Sequence, residues 1–280
     1  MMLNEIFLSS ESISHYQPLV SVVIPTYNSS ATIKEAINSV LFQSYKNIEI
    51  IVVDDCSIDD TCAVVLNLAG HFSQIKLIRL ENNSGTPSRP RNVGILSSNG
   101  LYVALLDSDD IWHPEKILIQ INVIAHTKIS ACSTSMQNFT DASDIDWHLF
   151  SNNIKLTKIK LSDQLFKYRT PTSSFIALKK LFLDNPFPED LKYPGREDLL
   201  CSLNIHQCIE YSLKIELPLL FYRIHSGQSS FNKFDMIKGQ LMTLKKFRLS
   251  NENKLGFKIY FYFLSYILYS IYFRILLKKL

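Results

Sequence analysis

Between Leu19 and Leu106, runs rich in β-branched and aliphatic residues alternate with stretches whose apolar residues recur at helical spacing. The runs are Leu19–Pro25, Ile48–Val53, Ile75–Leu80 and Leu101–Leu106. The last is expected to be covered on both faces, as parallel strands flanked by helices are. Between them, Ile33, Ala36, Ile37, Val40 and Leu41 share a helix face, and Val64, Val65 and Leu68 share another. Arg89–Leu96 makes a short third helix. Asn28 or Ser30 is expected to cap the first helix, and Asp59 and Asp60 to open the second. Strict alternation of strand and helix predicts an α/β fold with a mostly parallel, Rossmann-like sheet flanked by helices.

The fourth run ends abruptly in Asp107, Asp109 and Asp110. Carboxylates at the exit of a buried strand sit at the carboxyl end of the sheet, where open α/β folds bind ligands. Two Asp one residue apart offer hard oxygen ligands to Mg²⁺ or Mn²⁺, which can in turn hold a diphosphate. The competing use is capping of a helix that begins near Pro114. Asp54 and Asp55 close the second run in the same way, with a turn as their competing use. No G-x-G-x-x-G and no G-x-x-x-x-G-K-[ST] occurs, and the chain has 8 glycines in all. A bound nucleotide must therefore be held by something other than a glycine cradle.

At 280 residues with 46% hydrophobic and 20% charged residues, the chain is globular and long enough for one large domain, or a domain and a tail. A net charge of +3 is too mild to argue for a nucleic-acid partner. The five cysteines form no C-x-x-C pair and are expected to be free thiols in a reducing, cytoplasmic compartment. No basic region precedes a long apolar core at the N-terminus, so residues 1–18 are expected to be a plain leader.

The second half is less regular. Residues 136–160 lack periodicity and are expected to be loop-rich, and Thr172–Leu178 is expected to be a strand. Gly195-Arg-Glu-Asp198 precedes an apolar helix, and Leu219–His225 is expected to be a late strand ending on a histidine.

Six stretches, in order, resemble glycosyltransferase family 2. They are Ser21-Val-Val-Ile-Pro-Thr-Tyr-Asn28, Ile51-Val-Val-Asp-Asp-Cys-Ser57, Pro90-Arg-Asn-Val-Gly94, Leu106-Asp-Ser-Asp-Asp110, Gly195-Arg-Glu-Asp198 and Tyr222-Arg-Ile-His-Ser226. The resemblance implies the GT-A fold over residues 19–230, with a nucleotide-binding half (19–110), an acceptor half (111–230) and C-terminal helices (231–280). It implies a nucleotide-diphosphate sugar donor, with uridine as the family's usual base, an inverting transfer, and Mn²⁺ or Mg²⁺ as cofactor. Pro25, Thr26 and Tyr27 would line the base pocket and Asp55 would accept a hydrogen bond from the base. Arg91 with Asn92 would reach the base or phosphates, and Asp107 would sit against the ribose. Asp109 would ligate the metal, with His225 beside it. Asp198 matches the catalytic base, and Glu197 would bind acceptor or orient Asp198. The sequence departs from the family pattern in placing Pro87 and Pro90 around the arginines, and Cys56 where Gly or Asn is common.

Chemistry supports these assignments. A leaving diphosphate carries concentrated negative charge, which a divalent ion stabilises by several kcal/mol. A base that takes the proton of an attacking hydroxyl contributes about a hundred- to ten-thousand-fold. One displacement with one base inverts the anomeric centre. The rivals are a sugar-1-phosphate nucleotidyltransferase, which would want a glycine-rich basic first loop, and a catalytically inactive sugar-binding scaffold.

Residues 257–280 shift to apolar and aromatic composition, flanked by Lys258, Arg274, Lys278 and Lys279. The apolar run is shorter than the ~20 residues a spanning helix needs. Its tyrosines and basic flanks suit a helix lying on an anionic membrane. The alternative is a terminal helix packed on protein. By the habit of the family it resembles, and not from these residues, the chain is expected to use a polyprenyl-diphosphate-linked glycan acceptor at the inner face of the cytoplasmic membrane, in bacterial surface-polysaccharide assembly. A membrane-surface helix fits that acceptor.

Overall fold

The apolar runs become the left-hand side of one central sheet. In this computed structural model residues 16–147, 154–190, 196–225, 233–250 and 256–277 are described. The leader up to residue 15, Gly195, the Ser226–Ser230 stretch, Lys278 and Lys279 lie outside the described residues. The first half runs Val20–Thr26 (β1), Ile33–Leu41 (α1), Ile48–Asp54 (β2), Thr61–His71 (α2), Ile75–Arg79 (β3), Ser88–Ser97 (α3) and Tyr102–Leu105 (β4). The middle adds Ile111–Trp112 (β5), Lys116–Thr127 (α4), Ala131–Phe139 (β6), Leu156–Ile159 (β7) and Leu161–Phe166 (α5). Ile176–Leu178 (β8), Lys179–Asp184 (α6), Glu197–Cys208 (α7) and Ser212–Arg223 (β9) follow, before Lys233–Ser250 (α8) and Lys258–Leu277 (α9).

The strand order is β3-β2-β1-β4-β8-β6-β9-β5, with β7 paired to β9. β3, β2, β1 and β4 are mutually parallel; β8 is antiparallel to β4 and to β6, and β6 and β9 are parallel. The chain leaves β1 toward β2 on one side and returns to β4 on the other. That reversal opens a crevice at the carboxyl ends of β1 and β4.

Both faces of β1 are buried, as its unbroken apolar run requires. Val22 and Ile24 pack in a cluster with Ile33 and Ile37 of α1, while Val23 packs with Ile95, Val103 and Leu105 on the opposite face. Each such aliphatic side chain contributes roughly 2 kcal/mol when fully buried. Gly94 lets α3 lie directly on this sheet: a Cβ there would fall 2.4 Å from Val23 Cγ1. The Gly of Pro90-Arg-Asn-Val-Gly94 is therefore a packing requirement.

Several local expectations are corrected. The first helix is preceded by Thr32, without a side-chain cap. Asn28 instead accepts from the Ile58 amide at 2.9 Å, and Ser30 donates its own amide to Asp59. The region 136–160 is not all loop, since β6 reaches Phe139 and β7 spans Leu156–Ile159; residues 148–153 lie outside the described set. Thr172–Ser174 is a 3₁₀ turn and only Ile176–Leu178 is strand. Ser174 closes that turn on the Pro171 carbonyl, through its amide at 2.9 Å and its hydroxyl at 2.7 Å. The late strand begins at Ser212 and ends at Arg223, leaving His225 just beyond it.

The C-terminal helices pack on the domain through a cluster of their own. Leu244 and Phe247 of α8 and Ile259 of α9 meet Leu165 of α5 and Leu199, Leu200 and Leu203 of α7. No helix among the described residues is long and apolar enough to cross a membrane.

Candidate active site

A cleft of about 800 Å³ opens at the carboxyl ends of β1, β2 and β4, a volume typical of small-molecule sites. Pro25, Thr26, Tyr27, Asp55, Arg91, Asp107, Asp109, Glu197, Asp198 and His225 all line it. These ten residues come from six separate sequence stretches, and the sheet reversal is what brings them together.

The two acidic residues after β2 divide their work. Asp54 is fully buried and accepts from the Ser57 amide at 3.0 Å, which makes it the turn former. The turn places Cys56 at φ +66°, the left-handed region where Gly and Asn are at ease. Asp55 faces the cleft and accepts from the Ser84 amide at 3.1 and 3.0 Å and from its hydroxyl at 2.9 Å. An ionised carboxylate has about four lone-pair sites, so capacity remains for a donor in the cleft. Tyr27, 47% exposed, offers a free ring face at the end of β1.

Asp107, Asp109 and Asp110 lie on the tight loop between β4 and β5. None of them caps a helix: α4 starts at Lys116 behind Glu115, with no side-chain cap bond. Asp109 Oδ2 is 2.9 Å from His225 Nε2. Burial and the neighbouring Asp107 push the Asp109 carboxyl up, and His225 works against that rise. Asp110 is fully buried and accepts from the Arg223 amide at 3.1 Å. Burial and the charges of Asp109 and Asp107 hold it well above the usual carboxylate range. Arg223 also donates its Nε to the Asp109 carbonyl at 2.8 Å, and it pairs with Glu35 of α1. Arg223 thus clamps the acidic loop to the end of β9. Its place in Tyr222-Arg-Ile-His-Ser226 was the available signal.

A carboxylate oxygen beside an imidazole nitrogen suits a divalent ion such as Mn²⁺ that accepts both. Among the described residues no group of three His, Cys, Asp or Glu side chains comes together to hold an ion. Asp109 and His225 would hold part of such an ion's shell, and the ion would supply positive charge beside the acidic loop.

Arg91 joins the two sides of the cleft. It is 4% exposed, with Nη2 2.7 Å from Asp107 Oδ1 and Nη1 3.6 Å from Glu197 Oε1. Those carboxylates hold it protonated, against the cost of its burial. The expectation for Asn92 is corrected: it turns away, exchanging bonds of 2.9 Å with both backbone groups of Phe187 and donating to Glu189 at 2.8 Å. It pins the chain that follows α6.

Glu197 and Asp198 open α7, where the helix dipole favours acids. Burial and the Asp198 charge push Glu197 up to about 7, with Arg91 offsetting part of the rise. Asp198 Oδ2 accepts from the Thr172 hydroxyl at 3.2 Å, and Tyr168 lies 3.4 Å behind that hydroxyl. Thr172 and Tyr168 line the cleft too. Nothing in their sequence context marks them, because their link to Asp198 is purely tertiary. Trp147 lies outside the cleft lining and packs edge-on against Phe221 at 5.1 Å.

A reversed parallel sheet carrying an acidic loop at its switch point, with a helix-borne carboxylate opposite, is the GT-A class of glycosyltransferase. The pattern of Glycosyl transferase family 2 matches residues 21–185, more than half of the chain. The chain belongs to that family and is a glycosyltransferase. It is 30% identical over 241 residues to the Escherichia coli UDP-Glc:α-D-GlcNAc-diphosphoundecaprenol β-1,3-glucosyltransferase WfaP, across 85% of this chain and 90% of that protein. S. aureus TarS in complex with UDP superposes with a TM-score of 0.61 at 25% identity, over 81% of this chain and 65% of the other. The Pyrobaculum calidifontis mannosyltransferase PcManGT, in complex with GDP-Man and Mn²⁺, shares the fold at a TM-score of 0.64 and 18% identity, over 83% of this chain and 64% of the other. Family membership sets aside the nucleotidyltransferase reading.

Proposed function

We propose that the chain transfers a sugar from a uridine-diphosphate sugar, with inversion, to a hydroxyl of a lipid-diphosphate-linked glycan in bacterial surface-polysaccharide synthesis. One observation carries this reading: Arg91 ties the donor-side Asp107 to the Glu197-Asp198 pair, so an acidic loop and a candidate base share one cleft. WfaP, named for a UDP-glucose donor and a diphosphoundecaprenol acceptor, supports the substrate classes.

Tyr27 stacks on the base, with Pro25 and Thr26 behind it, and Asp55 accepts a base N–H on its unused lone pairs. Asp107 receives the ribose. Asp109 and His225 would hold the divalent ion, which when bound stabilises charge on the departing diphosphate. Asp198, fixed by Thr172, takes the proton of the acceptor hydroxyl as its oxygen bonds to the anomeric carbon and the bond to the UDP oxygen breaks. Glu197 sits against Arg91 and keeps that cation balanced between the two halves.

The catalytic unit is residues 19–230, and α8 and α9 attach it to the inner face of the cytoplasmic membrane. α9 is two-sided. Ile259 packs inward, while Tyr260, Phe261, Leu264 and Leu268, with Phe257 just before the helix, are exposed at the 3.6-residue period of a single face. An apolar, aromatic face beside Lys258 suits the headgroup region of an anionic bilayer. The packed and the membrane-facing readings of the tail thus describe opposite faces of one helix.

The test is transfer from a panel of UDP-sugars to GlcNAc α-diphosphate carrying a short alkyl chain, with the product anomer read by NMR. Transfer with inversion, lost by a factor of about a hundred or more in Asp198→Asn, supports the reading. Donor binding without transfer to any lipid-diphosphate glycan refutes it and leaves a sugar-nucleotide-binding scaffold.

A further inference from the structure

Two arginines line the cleft among the described residues, Arg91 and Arg196. Arg91 is matched by Asp107 and Glu197. Arg196 has no such match. It is 8% exposed, and no carboxylate among the described residues lies within ion-pair distance of it. Its partners are the Tyr266 hydroxyl of α9, 2.6 Å from Nη2, and the Tyr266 ring, 5.2 Å from the guanidinium carbon. Nε is buried with no acceptor among the described residues. A buried cation without a counter-charge is costly, and one that lines a ligand cleft is a ready site for an anion.

Position says which anion. Arg196 immediately precedes Glu197 and Asp198, so it lies on the acceptor side of the cleft. The donor diphosphate belongs at the other side, with Asp109 and His225. An acceptor diphosphate entering beside Asp198 and Glu197 meets two carboxylates and needs a compensating cation. Arg196 supplies one, and its planar fork suits two phosphate oxygens better than a lysine would. The tyrosine that holds it is on the inward face of α9, whose opposite face is the exposed apolar stripe. A lipid lying along α9 would thus bring its phosphates to Arg196.

We infer that Arg196, oriented by Tyr266, is the recognition site for the diphosphate of a lipid-linked acceptor; this rests on the acceptor class proposed above. It makes α9 part of the substrate site as well as an attachment.

The experiment compares two acceptors, GlcNAc α-diphosphate with a short alkyl chain and the neutral alkyl GlcNAc glycoside. The readout is the ratio of their kcat/KM values, which is insensitive to how much of a variant folds. Wild type should favour the diphosphate by at least about tenfold, the worth of one charge-assisted contact. Arg196→Gln should bring the ratio close to one, mainly through KM of the diphosphate acceptor, and Arg196→Lys should recover part of it. Wild type using both acceptors equally would overturn the assignment, as would an unchanged ratio in Arg196→Gln. Wild type transferring to neutral glycosides alone would overturn the acceptor class itself. Transfer to the diphosphate acceptor with a ratio independent of Arg196 would overturn only this inference.

Discussion

The Thr172 hydroxyl donates to Asp198 Oδ2 at 3.2 Å, from a 3₁₀ turn that is remote in sequence from the helix carrying Asp198. One carboxylate oxygen is thereby pinned while Oδ1 accepts from the Leu199 amide at 2.7 Å. A carboxylate held on both oxygens presents its remaining lone pairs in one direction, which is what a general base needs. Thr172→Val should lower kcat by about tenfold, the worth of one hydrogen bond to a charged group, and leave the donor KM unchanged. Thr172→Ser should restore most of the rate. Steady-state kinetics on the three proteins decides it: equal losses in Val and Ser variants would mean that Thr172 serves packing alone.

Arg223 holds the backbone of Asp109 and the carboxylate of Asp110 at once. Because the amide bond to Asp110 does not depend on the side chain, Arg223→Met should loosen the loop without dismantling it. The Mn²⁺ concentration for half-maximal donor hydrolysis should rise by about tenfold, the equivalent of one lost charge-assisted hydrogen bond. A metal titration of both proteins measures this. An unchanged half-point with a lowered maximum would place Arg223 outside metal positioning.

Lys116 is fully buried behind the acidic loop, 3.8 Å over the Trp112 ring and bonded at 2.7 Å to Gln120 Oε1. Burial takes its pKa from 10.5 down to about 7. The folded protein gives up this proton near pH 7 while the unfolded chain keeps it to 10.5. Between those values the unfolded state binds more protons, so stability rises with pH, at up to about 1.4 kcal/mol per pH unit. Below pH 7 the whole cost of the buried charge is present. Lys116→Met should therefore raise Tm by several degrees at about pH 6, with the gain shrinking toward about pH 10. Calorimetric scans across that range check the sign; a gain that grows with pH would contradict the account.

The parallel half of the sheet was legible because strands covered on both faces must be continuously apolar, as Val22 and Val23 show by entering different clusters. β6 was hidden for the opposite reason: Ser133 and Thr134 are fully buried polar residues inside it, and they break the apolar signal. Thr172–Ser174 looked extended by residue type, but the Ser174 hydroxyl and amide close a turn on Pro171. The candidate site residues that motifs mark, such as Asp55, Asp107 and Asp109, stand at strand exits, where local sequence and the mouth of the cleft coincide. Thr172 and Tyr266 act through partners distant in sequence, and Tyr168 reaches Asp198 only by way of Thr172, so no local pattern could expose them. Asn92 shows the converse: it stands inside a motif, yet its bonds run to Phe187 and Glu189.

The central claim is that Asp109, with His225 at 2.9 Å, anchors a metal through which a uridine-diphosphate sugar is held. Isothermal titration of UDP-sugars into the 280-residue protein, with Mn²⁺ or with EDTA, tests it most directly. The account predicts that Mn²⁺ tightens binding of one donor by about a hundredfold, roughly 3 kcal/mol, and that Asp109→Ala abolishes this gain. Donor binding of equal strength with Mn²⁺ and with EDTA, unchanged in Asp109→Ala, would contradict it.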